Sequence, residues 1–213
     1  MTTVSSRPAG PRLRADASRN RARIIGAARE TLVEIGAEAP LDEIARRAGV
    51  GNATLYRHFA DRRDLLHHVT LSVLSRVLEH AEAGLREPDA FEALSRFTHI
   101  AADERIGALC PMLADHIDHD NPELESARLR LKQATAELIA RAHASGQLRA
   151  DIGVGDYFLG VIQLTRPLPG TGCIDLDQFL HRHLQVFLDG LRAPAPSVLP
   201  GRPVSLDDLK RAC

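Results

Sequence analysis

Apolar residues recur along this chain with a helical beat, and no stretch alternates as a strand would. Ile24, Ala28, Leu32 and Ile35 follow at steps of four, four and three, which puts them on one face of a helix. Ser18 is the expected N-cap of that helix and Gly36 its C-terminal stop. A short second helix is expected in "PLDEIARRAGV", with Pro40 near its first turn, Asp42 and Glu43 where the dipole favours acids, and Gly49 at its end. Only a few residues then precede a third short segment, "ATLYRHF". Asp61 opens a longer helix carrying Leu65, Leu66, Val69, Val73, Leu74, Val77 and Leu78 at helical spacing.

Beyond Pro88 the pattern predicts helices near 89–103, 105–118, 121–145, 153–166 and 174–191. The one at 121–145 carries the clearest start signal, Asn121 before Pro122, with Gly146 closing it. "RPLPGTGC" at 166–173 reads as a loop, and it lacks the lysine of a phosphate loop. The expected fold is all-α with about nine helices. Four segments are expected: a disordered basic arm at 1–17, a helix-turn-helix domain at 18–66, a helical ligand-binding and dimerisation domain at 67–192, and a loose Pro-rich tail at 193–213.

Composition agrees with the helical reading. Aromatic residues make up 4% and Trp is absent, so the residue types favoured by strands are scarce. Net charge is −1, yet residues 1–68 hold 12 basic and 8 acidic residues, whereas the remainder is acidic. Six arginines crowd residues 1–23 against the single acid Asp16. Such asymmetry fits either a solvated tail or an arm that meets a polyanion. Cys110, Cys173 and Cys213 are odd in number and scattered, which fits free thiols in a reducing compartment. No apolar run approaches the length of a membrane span, and a cytoplasmic protein without membrane contact is expected.

The chemistry concentrates in "DEIARRAGVGNATLYRHFADRRDLL", residues 42–66. Two short helices joined by a tight glycine turn, behind a longer bracing helix, describe a helix-turn-helix. Leu55 and Phe59, four apart, point together toward the core. Thr54, Tyr56, Arg57 and His58 are left on the outward arc. Asn52 and Thr54 suit base edges or phosphates, Arg57 the O6 and N7 of guanine, and Tyr56 and His58 phosphate oxygens. A duller reading stands beside this one: Tyr56 packs its ring at the helix junction and Arg57 is a solvated surface group.

The same stretch resembles the DNA-binding signature of the TetR/AcrR transcriptional regulators, with "IARRAGV", "TLY", "HF" and "LL" at the family's spacing. The resemblance covers about residues 20 to 70. It implies a three-helix DNA-binding domain followed by a helical domain that binds an effector and dimerises. It carries DNA contact to Thr54, Tyr56 and His58, and phosphate contact to Arg62. Two departures are visible: Leu41 stands where the family often has a capping Thr, and Ala53 replaces the usual Gly, which with Asn52 should alter base preference. Arg19 and Arg23 are expected to add phosphate or minor-groove contacts.

These readings converge on a ligand-responsive repressor that binds a near-palindromic duplex operator as a homodimer. An activator, or a metal-responsive regulator using His116 and His119, is the alternative. A helical enzyme built on the Asp115–Asp120 cluster and a protein-binding adaptor are the rival classes. No catalytic residue, metal site or cofactor is expected. An unknown small-molecule effector is expected in an apolar cavity lined by Phe97, Cys110, Met112, His116, Phe158 and Ile162. Leu176, Leu180, Leu184, Phe187 and Leu191 form the expected dimer stripe.

Overall fold

The computed structural model describes residues 11–118, 120–166, 177–205 and 208. Among them nine α-helices and one 3-10 turn occur, with no strand: α1 Pro11–Ile35, α2 Leu41–Arg47, α3 Asn52–His58, α4 Arg62–Gly84, α5 Ala90–Asp103, α6 Ile106–Leu113, the turn Ala114–His116, α7 Pro122–Ala144, α8 Val154–Thr165 and α9 Asp177–Leu191. The chain separates into two compact units, Met1–Val69 and Thr70–Cys213.

In the first unit Ile24, Ala28 and Leu32 of α1 meet Ile44 of α2, Leu55 and Phe59 of α3 and Leu65 of α4, all fully buried. Ala45 and Ala48, also buried, let α2 pack closely. Two expectations at α1 need correction. The helix begins at Pro11, so Ser18 lies inside it rather than capping it. Ile35 is half exposed, and the buried position beside Leu32 is Thr31, whose hydroxyl donates to the Ala27 carbonyl at 2.7 Å and so hides its polarity. Arg47 holds α2 to α1 by reaching both Glu43 and Glu34.

The second unit is layered from α5, α7, α8 and α9, with α6 against α8. Asp89 caps α5 by accepting from the Glu92 amide at 3.0 Å. Asn121 caps α7 through the amides of Glu123 and Leu124, with Pro122 following. Arg141 reaches from α7 to the carbonyls of Gly84, Leu85 and Glu87, satisfying the open end of α4. Gly160 lets Phe187 of α9 rest on α8, since a Cβ there would lie 2.4 Å from its ring.

The segment expected as a loose tail is docked over 197–205. The Gly155 amide donates to the Val204 carbonyl at 2.8 Å, and Asp156 accepts from the amides of both Gly153 and Val204. Arg149, 6% exposed, grips Asp151 with two nitrogens and also donates to the Ser197 carbonyl at 2.6 Å. Prolines stop the segment from forming a helix, but its carbonyls and amides still find partners. The expected loop at 166–173 lies, beyond Arg166, outside the described residues.

Candidate nucleic-acid interface and helical cavity

The turn between α2 and α3 is built from the backbone outward. Gly49 sits at φ 63° and its amide donates to the Arg46 carbonyl, while the Val50 amide donates to that of Ala45. That paired closure is a Schellman turn, and it needs a residue without a Cβ at the left-handed position. Gly51 then starts α3, its carbonyl accepting from the amides of Thr54 and Leu55. Leu55 and Phe59 bury themselves, as their spacing predicted.

The opposite arc of α3 is open. Tyr56 is 53% exposed; Ala53 and Arg57 are exposed and Thr54 and His58 are half-buried. The Tyr56 ring is therefore not buried at the helix junction. Asn52 is tied across the turn, its amide donating to Asp42 at 2.7 Å. That bond orients the side chain at the exposed start of α3.

Around this arc the field is positive. Arg21 stacks over the Phe59 ring at 4.6 Å. Partial burial, reinforced by Arg57 and Arg21, holds His58 below the usual histidine range. On the flank of α2, Arg46 and Arg47 hold the Glu43 carboxyl down at about 2.

Two residues expected at DNA are engaged in the fold. Arg23 donates to the carbonyls of Ala48 and Gly49, at 2.5 and 3.2 Å, closing the C-terminal end of α2. Arg62 donates to the carbonyls of Ala37 and Ala39, both at 2.8 Å. An Arg followed three residues later by apolar pairs looks the same in sequence whether it faces phosphate or a loop carbonyl. Arg19 is paired with Asp16 on the exposed side of α1. Pro40 precedes α2 without a side-chain cap, in keeping with Leu41 in place of a capping Thr.

In the second unit α4 to α8 line a cavity of about 170 Å³ that is partly open to the surface. Of the residues proposed for an effector, Phe97, Cys110, Phe158 and Ile162 lie in its wall; Met112 and His116 do not. Met112 lies in α6 next to Pro111, which does line the cavity, and His116 lies in the 3-10 turn beyond the helix. Val77, Ala101, Leu131, Thr135 and Tyr157, which were not expected at a pocket, are also part of the wall. Each sits on a helix face that reads as plain core. His119 lies outside the described residues, among which no group of three His, Cys, Asp or Glu is placed to hold a metal.

The expected dimer stripe turns inward. Leu184 and Leu191 are buried within the chain and Phe187 rests on Gly160. Leu180 is half-buried, and Leu176 lies outside the described residues. The apolar groups that α8 and α9 leave exposed are instead Leu159, Ile162, Phe179 and Val186. No described helix is long and apolar enough to cross a membrane.

Residues 24–69 match the family model for bacterial regulatory proteins of the tetR family, and residues 89–193 that for the C-terminal domain of SbtR-like transcriptional regulators. A TetR transcriptional regulator from Streptomyces coelicolor, of known structure, is 30% identical. The alignment covers 82% of this chain and 99% of that one with a TM-score of 0.62. A TetR transcription regulatory protein from Mycobacterium vanbaalenii is 31% identical over 85% and 99% of the two chains, with a TM-score of 0.60. An HTH-type transcriptional regulator of Staphylococcus aureus (strain USA300) is 39% identical over 69 residues, so the chain spans only 37% of that curated relative. With a Schellman-closed helix-turn-helix followed by a helical unit of matching fold, the chain belongs to the TetR family of DNA-binding transcriptional regulators.

Proposed function

We propose that the chain is a ligand-responsive repressor that binds a near-palindromic operator as a homodimer. The observation that carries this reading is the outward arc of α3, where Tyr56 and Arg57 stand clear of the core on a seven-residue helix. Exposed Tyr and Arg on so short a helix do little for folding and much for a major groove. Residues 18–66 take the DNA, with Asn52, Ala53, Thr54, Tyr56, Arg57 and His58 at the groove and Arg19 at its edge. Residues 67–192 hold the effector and the dimer contact.

The dimer forms through α8 and α9, whose exposed Leu159, Phe179 and Val186 lose water when a second copy covers them. Two-fold symmetry then sets two α3 helices about one DNA turn apart. An effector in the cavity favours a conformation in which that spacing fails; coupling of about 1–3 kcal/mol empties an operator. Selection of bound fragments from random duplex DNA, followed by footprinting, tests the reading. It predicts a near-palindrome protected over two successive grooves. Uniform affinity for all duplexes sinks it.

A further inference from the structure

The wall of the cavity in the second unit is chemically one-sided. None of its lining side chains carries a formal charge. Its hydroxyls already donate inside the protein. Thr135 donates to the Leu131 carbonyl at 2.8 Å. Thr98 donates to the Leu94 carbonyl at 2.7 Å, so the Tyr157 hydroxyl, 2.8 Å from Thr98, gives its own proton to Thr98. A ligand carboxylate or carbonyl drawn fully into this space, away from its open side, loses its water and meets no hydroxyl donor in return.

Cys110 does not change that picture. Burial pushes its thiol up to about 11, against a weaker opposing influence from Arg128. It stays a neutral, soft, weakly donating group. The fraction of its surface that remains accessible is consistent with a thiol facing the cavity. Arg128 itself is not part of the wall.

Size and shape narrow the occupant further. The chain has eight Phe and Tyr residues, and three of them, Phe97, Tyr157 and Phe158, converge here. Tyr157 and Phe158 stand edge to face with ring centres 6.0 Å apart. An edge beside a face is the setting that attracts a third aromatic ring. The volume of about 170 Å³ is close to the roughly 150 Å³ of an apolar protein cavity that stays dry and takes up benzene.

We propose that this cavity binds one uncharged, hydrocarbon-like molecule the size of a single alkylated aromatic ring, and that it rejects anions of equal size. The inference rests on the reading of the cavity as the effector site and gives that site its ligand class.

The test titrates the full chain with ethylbenzene and with benzoate, following heat of binding and melting temperature. Ethylbenzene is expected to saturate at one molecule per chain and to raise the melting temperature; benzoate is expected to bind at least about tenfold more weakly. Ala101→Phe fills the cavity and should abolish uptake. Thr135→Val, which keeps the shape and removes a hydroxyl, should preserve or tighten it, and this variant carries the test if Ala101→Phe fails to fold. Benzoate binding as tight as ethylbenzene, or uptake that Arg128→Ala abolishes, overturns the proposal. So does a folded chain that takes up no ethylbenzene. Operator binding is measured on the same preparation. A chain that binds its operator but ignores ethylbenzene sinks the ligand class alone. One that takes up ethylbenzene but ignores every duplex sinks the regulator reading alone.

Discussion

The Arg62 guanidinium donates to the Ala39 carbonyl at 2.8 Å, and its second nitrogen reaches Ala37 at the same distance. The pair locks the start of α4 onto the loop between α1 and α2. Arg62→Ala is therefore expected to lower the unfolding free energy by about 1.5–3 kcal/mol, the range for hydrogen bonds to a charged group. Arg62→Lys should not restore it, because an ammonium lacks the planar fork that spans two carbonyls. Chemical denaturation measures this. The salt dependence of operator binding should keep its slope, whereas loss of a phosphate contact would flatten it by about one unit.

Arg57 and Tyr56 should behave in the opposite way. Both are exposed on α3, so Arg57→Ala and Tyr56→Phe should leave the melting temperature within about 2 °C of the parent. Arg57→Ala should cost about 1–3 kcal/mol of operator affinity and relax the choice of base at one position. Competition binding against single-base operator variants reads out both effects. An unchanged specificity profile would remove Arg57 from the groove.

A methyl group at residue 155 has nowhere to go. The Cβ of Gly155→Ala would lie 2.6 Å from the Val204 carbonyl oxygen, which is backbone and cannot swing aside. The expected result is detachment of residues 197–205 with the rest of the second unit folded. Proteolysis should then cut within that segment at least about tenfold faster than in the parent, tracking its open population. Equal cleavage rates would show that the docking adds no protection.

Acid should loosen both units. The Glu43 carboxyl is held at about 2 by Arg46 and then Arg47, and that of Asp151 at about 2 chiefly by Arg149. Each has a folded value below its unfolded one. Their stabilisation is thus fully present above about pH 4.5 and is lost as pH falls toward 2. Thermal unfolding of the parent, Glu43→Gln and Asp151→Asn between pH 2 and 7 checks the sign: the variants should lose less stability on acidification. His58, held below the usual histidine range by burial, Arg57 and Arg21, should gain a proton when phosphate arrives, so operator affinity should rise on acidification through the histidine range in the parent and not in His58→Gln.

Much of the fold was readable because helices announce themselves locally. The caps at Asn121 and the stops at Gly49 and Gly146 involve only residues a few positions apart, so α2 and α7 end where the sequence places their signals. The exposed arc of α3 was readable for the same reason: on a rod of seven residues, burying Leu55 and Phe59 leaves Tyr56 and Arg57 no choice but the other side.

What the chain alone could not decide was which neighbour a polar or apolar face would meet. Arg23 and Arg62 read as DNA ligands because an arginine near a basic face looks the same whether its partner is a phosphate or a carbonyl 25 residues away. His99 and His181 lie 82 residues apart in the chain yet face each other at 2.8 Å, with Asp103 behind His181. The stripe on α9 was visible as apolar, but only packing turned Leu184 and Leu191 inward and left Phe179 and Val186 outside. Local hydrogen-bond rules therefore set the helices and their ends. The cavity, the docked segment around Val204 and the outward faces arose from contacts between residues far apart in sequence, which periodicity does not encode.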